Sequence, residues 1–272
     1  MKKLQVLVAS MHQKDFSIVE KMNLSTDTII ANQADKYAYE EKIYPFGIVK
    51  MVTTPHRGVG KNRNTALNLA DGEIILIADD DIKYVNGYEK LITDEFEKKP
   101  EADVIVFNII TLGESTHRRK NTKTKEIKLY NALNYGAVRI AARRDKLERA
   151  GICFSLNFGG GALYSAGEDT LFMFDMVKKG LRIFSSSVVI ATVDQTSSSW
   201  FKGYNHKYFY DKGALFRAVF GKMSYLYAVQ DYIRHRDEYK KSQLSAKAVF
   251  LDIKNGIKGY KTYTPYMVKQ KS

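Results

Sequence analysis

Three consecutive aspartates, Asp79-Asp80-Asp81, directly follow the apolar run EIILIA at 73–78. Like charges this close repel one another, and burial at the end of a strand disfavours their ionised form. A hard divalent cation is the usual compensation, because Mg²⁺ and Mn²⁺ prefer carboxylate oxygens and bridge them to phosphates. In an extended chain Asp79 and Asp81 lie on one side, opposite Asp80. The triplet therefore indicates a metal–phosphate site with Asp79 and Asp81 as ligands, and a solvated acidic turn is the structural alternative.

Two other segments contain residue types that could bind an anion or accept the proton of a reacting hydroxyl. The segment HRGVGKNRN at 56–64 could present backbone N–H groups and the cations of Arg57 and Lys61 to an anion at a helix start. Its spacing matches neither the P-loop nor the dinucleotide fingerprint. Farther along, the sequence GEDT places Glu168 and Asp169 at a helix start, where the helix dipole favours negative charge. That pair suits either a helix cap or a catalytic base.

The elements that must position these residues alternate along the first half of the chain. Helical periodicity at 16–22, in the segment before Asp71 and at 88–98 separates short apolar runs that are typical of buried strands. Those runs lie at 4–8, 28–31, 48–53, 73–78 and 104–108. Parallel strands need such crossovers, so the pattern predicts a mostly parallel sheet with helices on both faces. Open sheets of this kind bind ligands at the carboxyl ends of their strands, where the acidic triplet stands. Past a polar segment at 111–128, further strands are expected at 135–141 and 181–193, and a helix at 168–179.

Charge is distributed unevenly along the 272 residues. The net charge is +13, and residues 201–272 contribute +10 of it, with fifteen Lys and Arg against five Asp and Glu. The same stretch holds fifteen Phe or Tyr residues and is predicted to be mostly helical and amphipathic. This asymmetry favours a nucleic-acid or anionic-membrane partner, with a solvated basic surface as the alternative. No apolar run approaches the roughly 18 residues of a membrane span, and a single cysteine excludes a disulfide scaffold.

Two sequence blocks, taken together, resemble a known family. The run RGVGKNRNTALNLADGEIILIADDDI is followed some 75 residues later by FGGGALYSAGEDTLFMFDMVKKGLRIFSSSVVI. In this order and spacing they resemble the inverting family 2 glycosyltransferases of GT-A fold, over about residues 3–200. The resemblance implies a Rossmann-like, mostly parallel central sheet, with a catalytic domain at 1–200 and a basic, aromatic-rich helical extension at 201–272.

The resemblance also implies roles for individual residues. The aspartate triplet matches the family's DXD region, which contacts the nucleotide and its cation, and Asp169 matches the catalytic base, with Glu168 beside it. Where the family usually has acids at the end of its second strand, this chain has Asn32. The implied nucleotide-sugar site comprises Ser10, His12, Asn32, Arg57, Lys61, Asp79 and Asp80; the acceptor site comprises Gly160, Gly161 and Trp200; the metal ligands are Asp79, Asp81 and Asp194.

The resulting hypothesis is a Mn²⁺- or Mg²⁺-dependent inverting glycosyltransferase of polysaccharide biosynthesis. It would move a sugar from a nucleotide-diphosphate sugar to a hydroxyl of a glycan or lipid-linked glycan. We expect a cytoplasmic protein that makes peripheral contact with the anionic inner face of the cell membrane. The aromatic tail could instead pair two copies of the chain as a homo-oligomer. One alternative is a nucleotidyltransferase, but that class needs a glycine-rich triphosphate loop near the N-terminus, and the segment VASMHQKD is not one. The other alternative is a basic nucleic-acid-binding protein, which would leave both acidic motifs unexplained.

Overall fold

The computed structural model describes residues 3–112, 120–129, 131–132, 135–194 and 203–260, with the backbone alone at Asp194. The chain divides into two compact units. The first comprises Met1–Ser155 and Asp169–Ser199, and the second comprises Leu156–Glu168 and Trp200–Ser272. The glycine-rich loop at 156–168 thus belongs to the same unit as the C-terminal helices.

Ten strands among the described residues form one mixed sheet in the first unit. They are β1 (Leu4–Met11), β2 (Asp27–Gln33), β3 (Ala38–Tyr44), β4 (Gly47–Thr54), β5 (Ile74–Asp79), β6 (Ile82–Tyr84), β7 (Val104–Leu112), β8 (Glu126–Ile127), β9 (Ile140–Arg143) and β10 (Ile183–Asp194). Their order is β3-β4-β2-β1-β5-β9-β7-β10-β6, and β8 pairs with β10. The strands β4, β2, β1 and β5 run parallel, as do β7 and β10, and antiparallel β9 joins the two groups.

Helices cover both faces of this sheet. They are α1 (Ile18–Lys21), α2 (Val59–Leu69), α3 (Tyr88–Lys98), α4 (Arg144–Ala150) and α5 (Glu168–Lys178). Successive side chains of a strand point to opposite faces. Accordingly Val6 and Val8 pack in the cluster that contains Ile92 of α3, and Leu7 packs in the cluster that contains Phe172 of α5. The predicted layered α/β architecture is confirmed.

The carboxyl ends of the central strands meet at one edge of the sheet. In the parallel register Ala9 of β1 lies beside Asp79 of β5, and Ser10 lies beside Asn32 of β2. Asn32 lies in turn beside Thr53 of β4. The fold therefore brings polar residues from four strands to the edge where the sequence predicts a ligand site.

Several elements differ from the sequence prediction. The short strands β6 and β8 were not expected, and β8 lies within the polar segment at 111–128, which was predicted to be an exposed loop. The edge strand β3 was not expected, because its sequence AYEEKIY has three charged residues and no continuous apolar run; most of the strand is exposed. The segment at 135–141, predicted as one strand, forms a 3₁₀ turn at Ala137–Arg139 and only then enters β9. This turn directs the backbone N–H of Ala137 toward a carboxylate described below.

The second unit is helical, as predicted. It contains α6 (His206–Phe220), α7 (Ser224–Arg234), α8 (Arg236–Tyr239) and α9 (Ala246–Gly259). Glycines let α6 and α9 cross closely: a Cβ at Gly213 would lie 2.1 Å from the Ile253 carbonyl oxygen, and one at Gly256 would lie 1.9 Å from that of Tyr210. Among the described residues, no helix is both long and apolar enough to cross a membrane.

Candidate active site

Arg63 of α2 is the centre of the candidate site. Its side chain is only 4 % exposed, and its guanidinium binds carboxylates from two other elements. The α2 helix can approach the backbone at Ser155 because Gly60, one turn before Arg63, has no side chain: a Cβ there would lie 2.2 Å from the Ser155 carbonyl oxygen. The guanidinium also lies over the Phe154 ring, 5.2 Å from its centroid. These contacts fix a buried cation among the strand ends.

Asp79, the first residue of the triplet, accepts two hydrogen bonds from Arg63. The Nη2 atom lies 2.9 Å from Oδ1 and 3.0 Å from Oδ2. Desolvation by the surrounding protein atoms raises the pKa of Asp79, the charge of Arg63 opposes this rise, and the nearby charge of Asp169 adds to it. The side chain of Asp79 is nevertheless 35 % exposed to solvent. A ligand from solution can therefore reach it.

Asp169, the predicted base, is held at both oxygens. Arg63 Nη1 donates to Oδ1 at 2.6 Å, and the backbone N–H of Ala137 donates to Oδ2 at 2.9 Å. The residue lies in the first turn of α5, where the helix dipole favours a negative charge. Its side chain is 31 % exposed. Since each carboxylate oxygen has a further lone pair, Asp169 can accept another hydrogen bond without losing these two.

A second polar cluster surrounds Asp80. Ser10 Oγ donates to its Oδ2 at 2.7 Å, and Gln13 Nε2 lies 2.7 Å from Ser10 Oγ. Asn32 at the end of β2 accepts a hydrogen bond from the backbone N–H of Gln13 and donates to Thr53 Oγ1. Three of the residues predicted to bind the nucleotide, Ser10, Asn32 and Asp80, are thus in one network.

The remaining predicted residues have other surroundings or lie outside the described side chains. His12 follows β1 in a left-handed conformation with its side chain exposed, Arg57 pairs with Asp35, and Lys61 is exposed on α2. Glu168 is half-buried and Asp81 is exposed. The predictions for Trp200 and for the side chain of Asp194 concern atoms that the structure does not describe.

Gly160 and Gly161 are exposed in the loop of the second unit. Asp211 of α6, itself buried, anchors this loop: it accepts hydrogen bonds from Ser165 N and Ser165 Oγ at 2.9 and 2.6 Å. Lys207 pairs with the same carboxylate at 2.7 Å and donates to the Leu163 carbonyl oxygen. The loop carrying both glycines is therefore fixed to α6.

No group of three or more His, Cys, Asp or Glu side chains within the described part of the chain is arranged to hold a metal ion. Magnesium sites at nucleotides commonly use only one or two carboxylates, since phosphates and water complete the shell. Asp79 and exposed Asp81, two residues apart at the end of β5, offer hard oxygen donors of that kind. The donor chemistry therefore fits Mn²⁺ or Mg²⁺ carried with a diphosphate.

The sequence reasoning left out three participants: Arg63, Gln13 and the backbone N–H of Ala137. Arg63 had a detectable signal, because a desolvated acid at the end of a strand requires a buried counter-charge and the GVGKNRN helix supplies one. Gln13 and Ala137 had none, since their roles depend on the backbone path after β1 and on the 3₁₀ turn before β9.

Residues 17–157, just over half of the chain, match the protein family described as "Glycosyl transferase family 2". The chain belongs to this family. It is a glycosyltransferase, as the sequence motifs predicted. No curated protein sequence gives a significant match.

The fold is shared with solved structures of S. aureus TarS. The structure of TarS 1–349 superposes with a TM-score of 0.62 at 15 % identity, covering 94 % of this chain and 92 % of that one. The complex of TarS 1–349 with UDP-GlcNAc gives 0.61 at 14 % identity, with 87 % and 78 % covered. At this identity the likeness concerns architecture, and it confirms the predicted GT-A type of fold.

Proposed function

We propose that this glycosyltransferase moves a sugar from a nucleotide-diphosphate sugar to a hydroxyl of a glycan or lipid-linked glycan, with inversion at the anomeric carbon. The observation that carries the proposal is the shared guanidinium of Arg63. It ties Asp79, in the motif that resembles a nucleotide- and metal-binding one, to Asp169, in the motif that resembles a catalytic base. One cation thus links the donor and the base sides of the predicted chemistry.

Asp169 is proposed as the general base. Its carboxylate would take the proton of the acceptor hydroxyl as that oxygen attacks the anomeric carbon, while the bond to the nucleoside diphosphate breaks on the opposite face. The hydrogen bonds from Arg63 and from the Ala137 N–H fix both oxygens before the substrate arrives. Pre-positioning of this kind lowers the entropic cost of reaching the reactive geometry.

Asp79, Asp80 and Asp81 are proposed to hold the donor, together with Ser10 and the other polar residues at the strand ends. When bound, Mn²⁺ or Mg²⁺ would neutralise charge on the leaving diphosphate, with Asp79 and Asp81 as ligands and Asp194 as a further candidate. The Ser10 and Gln13 hydrogen bonds keep the Asp80 side chain fixed. Arg57 and Lys61, exposed near the start of α2, add cations suited to phosphate oxygens.

The donor and the acceptor are proposed by chemical class. TarS has been solved with UDP and with UDP-GlcNAc, which makes uridine nucleotides the first donors to test. A glycan or lipid-linked acceptor, bound near Gly160, Gly161 and Trp200, would suit an enzyme of polysaccharide biosynthesis. We propose a cytoplasmic enzyme that contacts the membrane peripherally through its aromatic-rich second unit. The competing proposal is that this unit pairs two copies of the chain as a homo-oligomer.

The proposal is tested by nucleotide binding and nucleotide release. Isothermal titration with UDP should show affinity that depends on Mn²⁺ and is lost with chelator, and a panel of UDP- and other nucleotide-sugars should identify a donor by the nucleotide it releases. Asp81→Asn should remove the Mn²⁺ dependence. Asp94→Asn, a change at an acid paired with Lys90 on α3, is the matched control. If Asp81→Asn binds nucleotide with unchanged Mn²⁺ dependence, the metal assignment is wrong; if no nucleotide binds and no donor is turned over, the donor class is wrong.

A further inference from the structure

One face of α7 exposes large apolar side chains to solvent. Leu226, Val229 and Ile233 follow one another at intervals of three and four residues, which places them on one side of the helix. They are 62 %, 46 % and 70 % exposed, and Tyr225 and Met223 beside them are about half exposed. Single exposed apolar residues are ordinary on a protein surface, whereas a contiguous stripe marks an interaction site.

The opposite face of α7 is packed, so the stripe does not result from a loosely attached helix. Ser224 and Ala228 are buried within the second unit. Tyr227 stacks on Phe220 of α6, with ring centroids 3.5 Å apart, and Tyr232 lies 4.7 Å from Phe250 of α9. The helix is therefore fixed by one side and presents the other outward.

Cations flank the stripe and have few anionic partners. Lys222 precedes α7, Arg234 ends it, and Arg236 and Lys241 follow; all four are exposed, and none forms an ion pair within the described residues. Residues 203–260 contain eleven Lys and Arg against five Asp and Glu, a net charge of +6. An apolar stripe flanked by exposed cations that form no ion pair within the described residues is complementary to a surface with anionic groups above a hydrocarbon interior.

We propose that α7 is a membrane-docking helix that lies in the headgroup region of an anionic bilayer. Leu226, Val229 and Ile233 would enter the acyl boundary, and Lys222 and Arg234 would contact lipid phosphates. Helix α7 would be the surface that makes the membrane contact proposed above. The role of this docking in sugar transfer rests on the proposed function, whereas binding to the membrane itself requires no sugar transfer. A second copy of the chain is the other occupant of such a face, but the positive charge on both copies would oppose that pairing.

The test is flotation of the full chain with vesicles. Wild type should float with phosphatidylcholine vesicles containing about 30 % phosphatidylglycerol at low salt, remain behind with pure phosphatidylcholine, and bind less at about 0.5 M salt, where charges are screened within a few ångströms. Ile233→Gln should lower the partition coefficient by about tenfold, because it removes much of the transfer free energy of an isoleucine side chain that would be half-buried in the bilayer. Lys222→Gln combined with Arg234→Gln should lower it by roughly 25-fold, at about fivefold per cation.

Ile43→Gln is the matched control, because Ile43 is also exposed, at 79 %, but lies on β3 of the first unit. It should float as wild type does. The proposal is overturned if wild type ignores the anionic vesicles, or if Ile233→Gln and Ile43→Gln float equally. It is also overturned if light scattering shows a wild-type dimer that Ile233→Gln converts to a monomer. Each variant's UDP affinity is recorded beside its flotation, so loss of docking and failure of the glycosyltransferase proposal are distinguishable.

Discussion

Removing the Arg63 guanidinium should show how strongly the two acidic motifs depend on it. Arg63→Met keeps an unbranched apolar side chain against Phe154 and deletes the charge. Asp79→Asn keeps the shape of the carboxylate and deletes its charge. Measured singly and together, the two changes form a double-mutant cycle, which isolates the interaction between the two residues.

The expected magnitude follows from the burial of the pair. Breaking a fully buried ion pair from one side costs about 3–5 kcal/mol, because the other charge is left uncompensated. Arg63 is 4 % exposed but Asp79 is 35 % exposed, so water replaces part of the lost interaction. We therefore expect a loss of about 2–4 kcal/mol in unfolding free energy for Arg63→Met, and a coupling of about 1–2 kcal/mol with Asp79→Asn.

Urea denaturation followed by circular dichroism measures these values. The control cycle combines Lys90→Met with Asp94→Asn, an i,i+4 pair in which Lys90 is 80 % exposed, and its coupling should be much smaller because water screens the pair. A coupling between Arg63 and Asp79 as small as that of the control pair would show that this ion pair contributes little to folding. Arg63 would then not link the two acidic motifs electrostatically.

The same variant makes a prediction about pH. Desolvation already raises the pKa of Asp79 against the opposing charge of Arg63, so Arg63→Met should raise that pKa further. A carboxyl whose folded pKa lies above its unfolded pKa favours folding when protonated, and this stability is lost as pH rises through the folded pKa. The destabilisation by Arg63→Met should therefore be larger at about pH 7 than at about pH 4. Equal destabilisation at both values would contradict this prediction.

Two further predictions concern the second unit. Gly256→Ala should destabilise it by about 1–3 kcal/mol, because the new Cβ would lie 1.9 Å from the Tyr210 carbonyl oxygen, whereas Gly160→Ala meets nothing within 4 Å and should leave the melting temperature unchanged. Asp211→Ala removes the acceptor of two Ser165 hydrogen bonds, so hydrogen exchange should accelerate in the loop at 163–167; unchanged exchange there would show that the loop is held by other contacts.

The parallel strands at the centre of the fold were predictable because they are buried on both faces. Such strands read as continuous apolar runs: LQVLV located the first five of the eight residues of β1, and EIILIA located five of the six residues of β5. Edge strand β3 carries the opposite signal, since its charged, exposed residues resist pairing with other chains and read as a loop. The pattern of apolar residues in a sequence therefore detects buried strands but misses edge strands that carry charged residues.

The candidate site was predictable at its acids and less so at their partners. Asp79 and Asp169 stand in motifs whose residue types and order are informative. Arg63 lies in a polar helix, VGKNRNTALNL, whose sequence suggests a solvated face, yet Asn62 and Arg63 are buried because they bind groups at the strand ends. A local pattern cannot show that a polar side chain is buried when its partners lie far away in sequence.

The most direct test of the account is the turnover of Asp169→Asn with an identified donor and acceptor. This variant should bind nucleotide as wild type does and lose transfer by about 10²–10⁴-fold, because the amide cannot take the proton of the acceptor hydroxyl. Asp175→Asn, a change at an exposed acid of the same helix, should transfer at the wild-type rate. Near-normal transfer by Asp169→Asn would contradict the central claim that this carboxylate is the base.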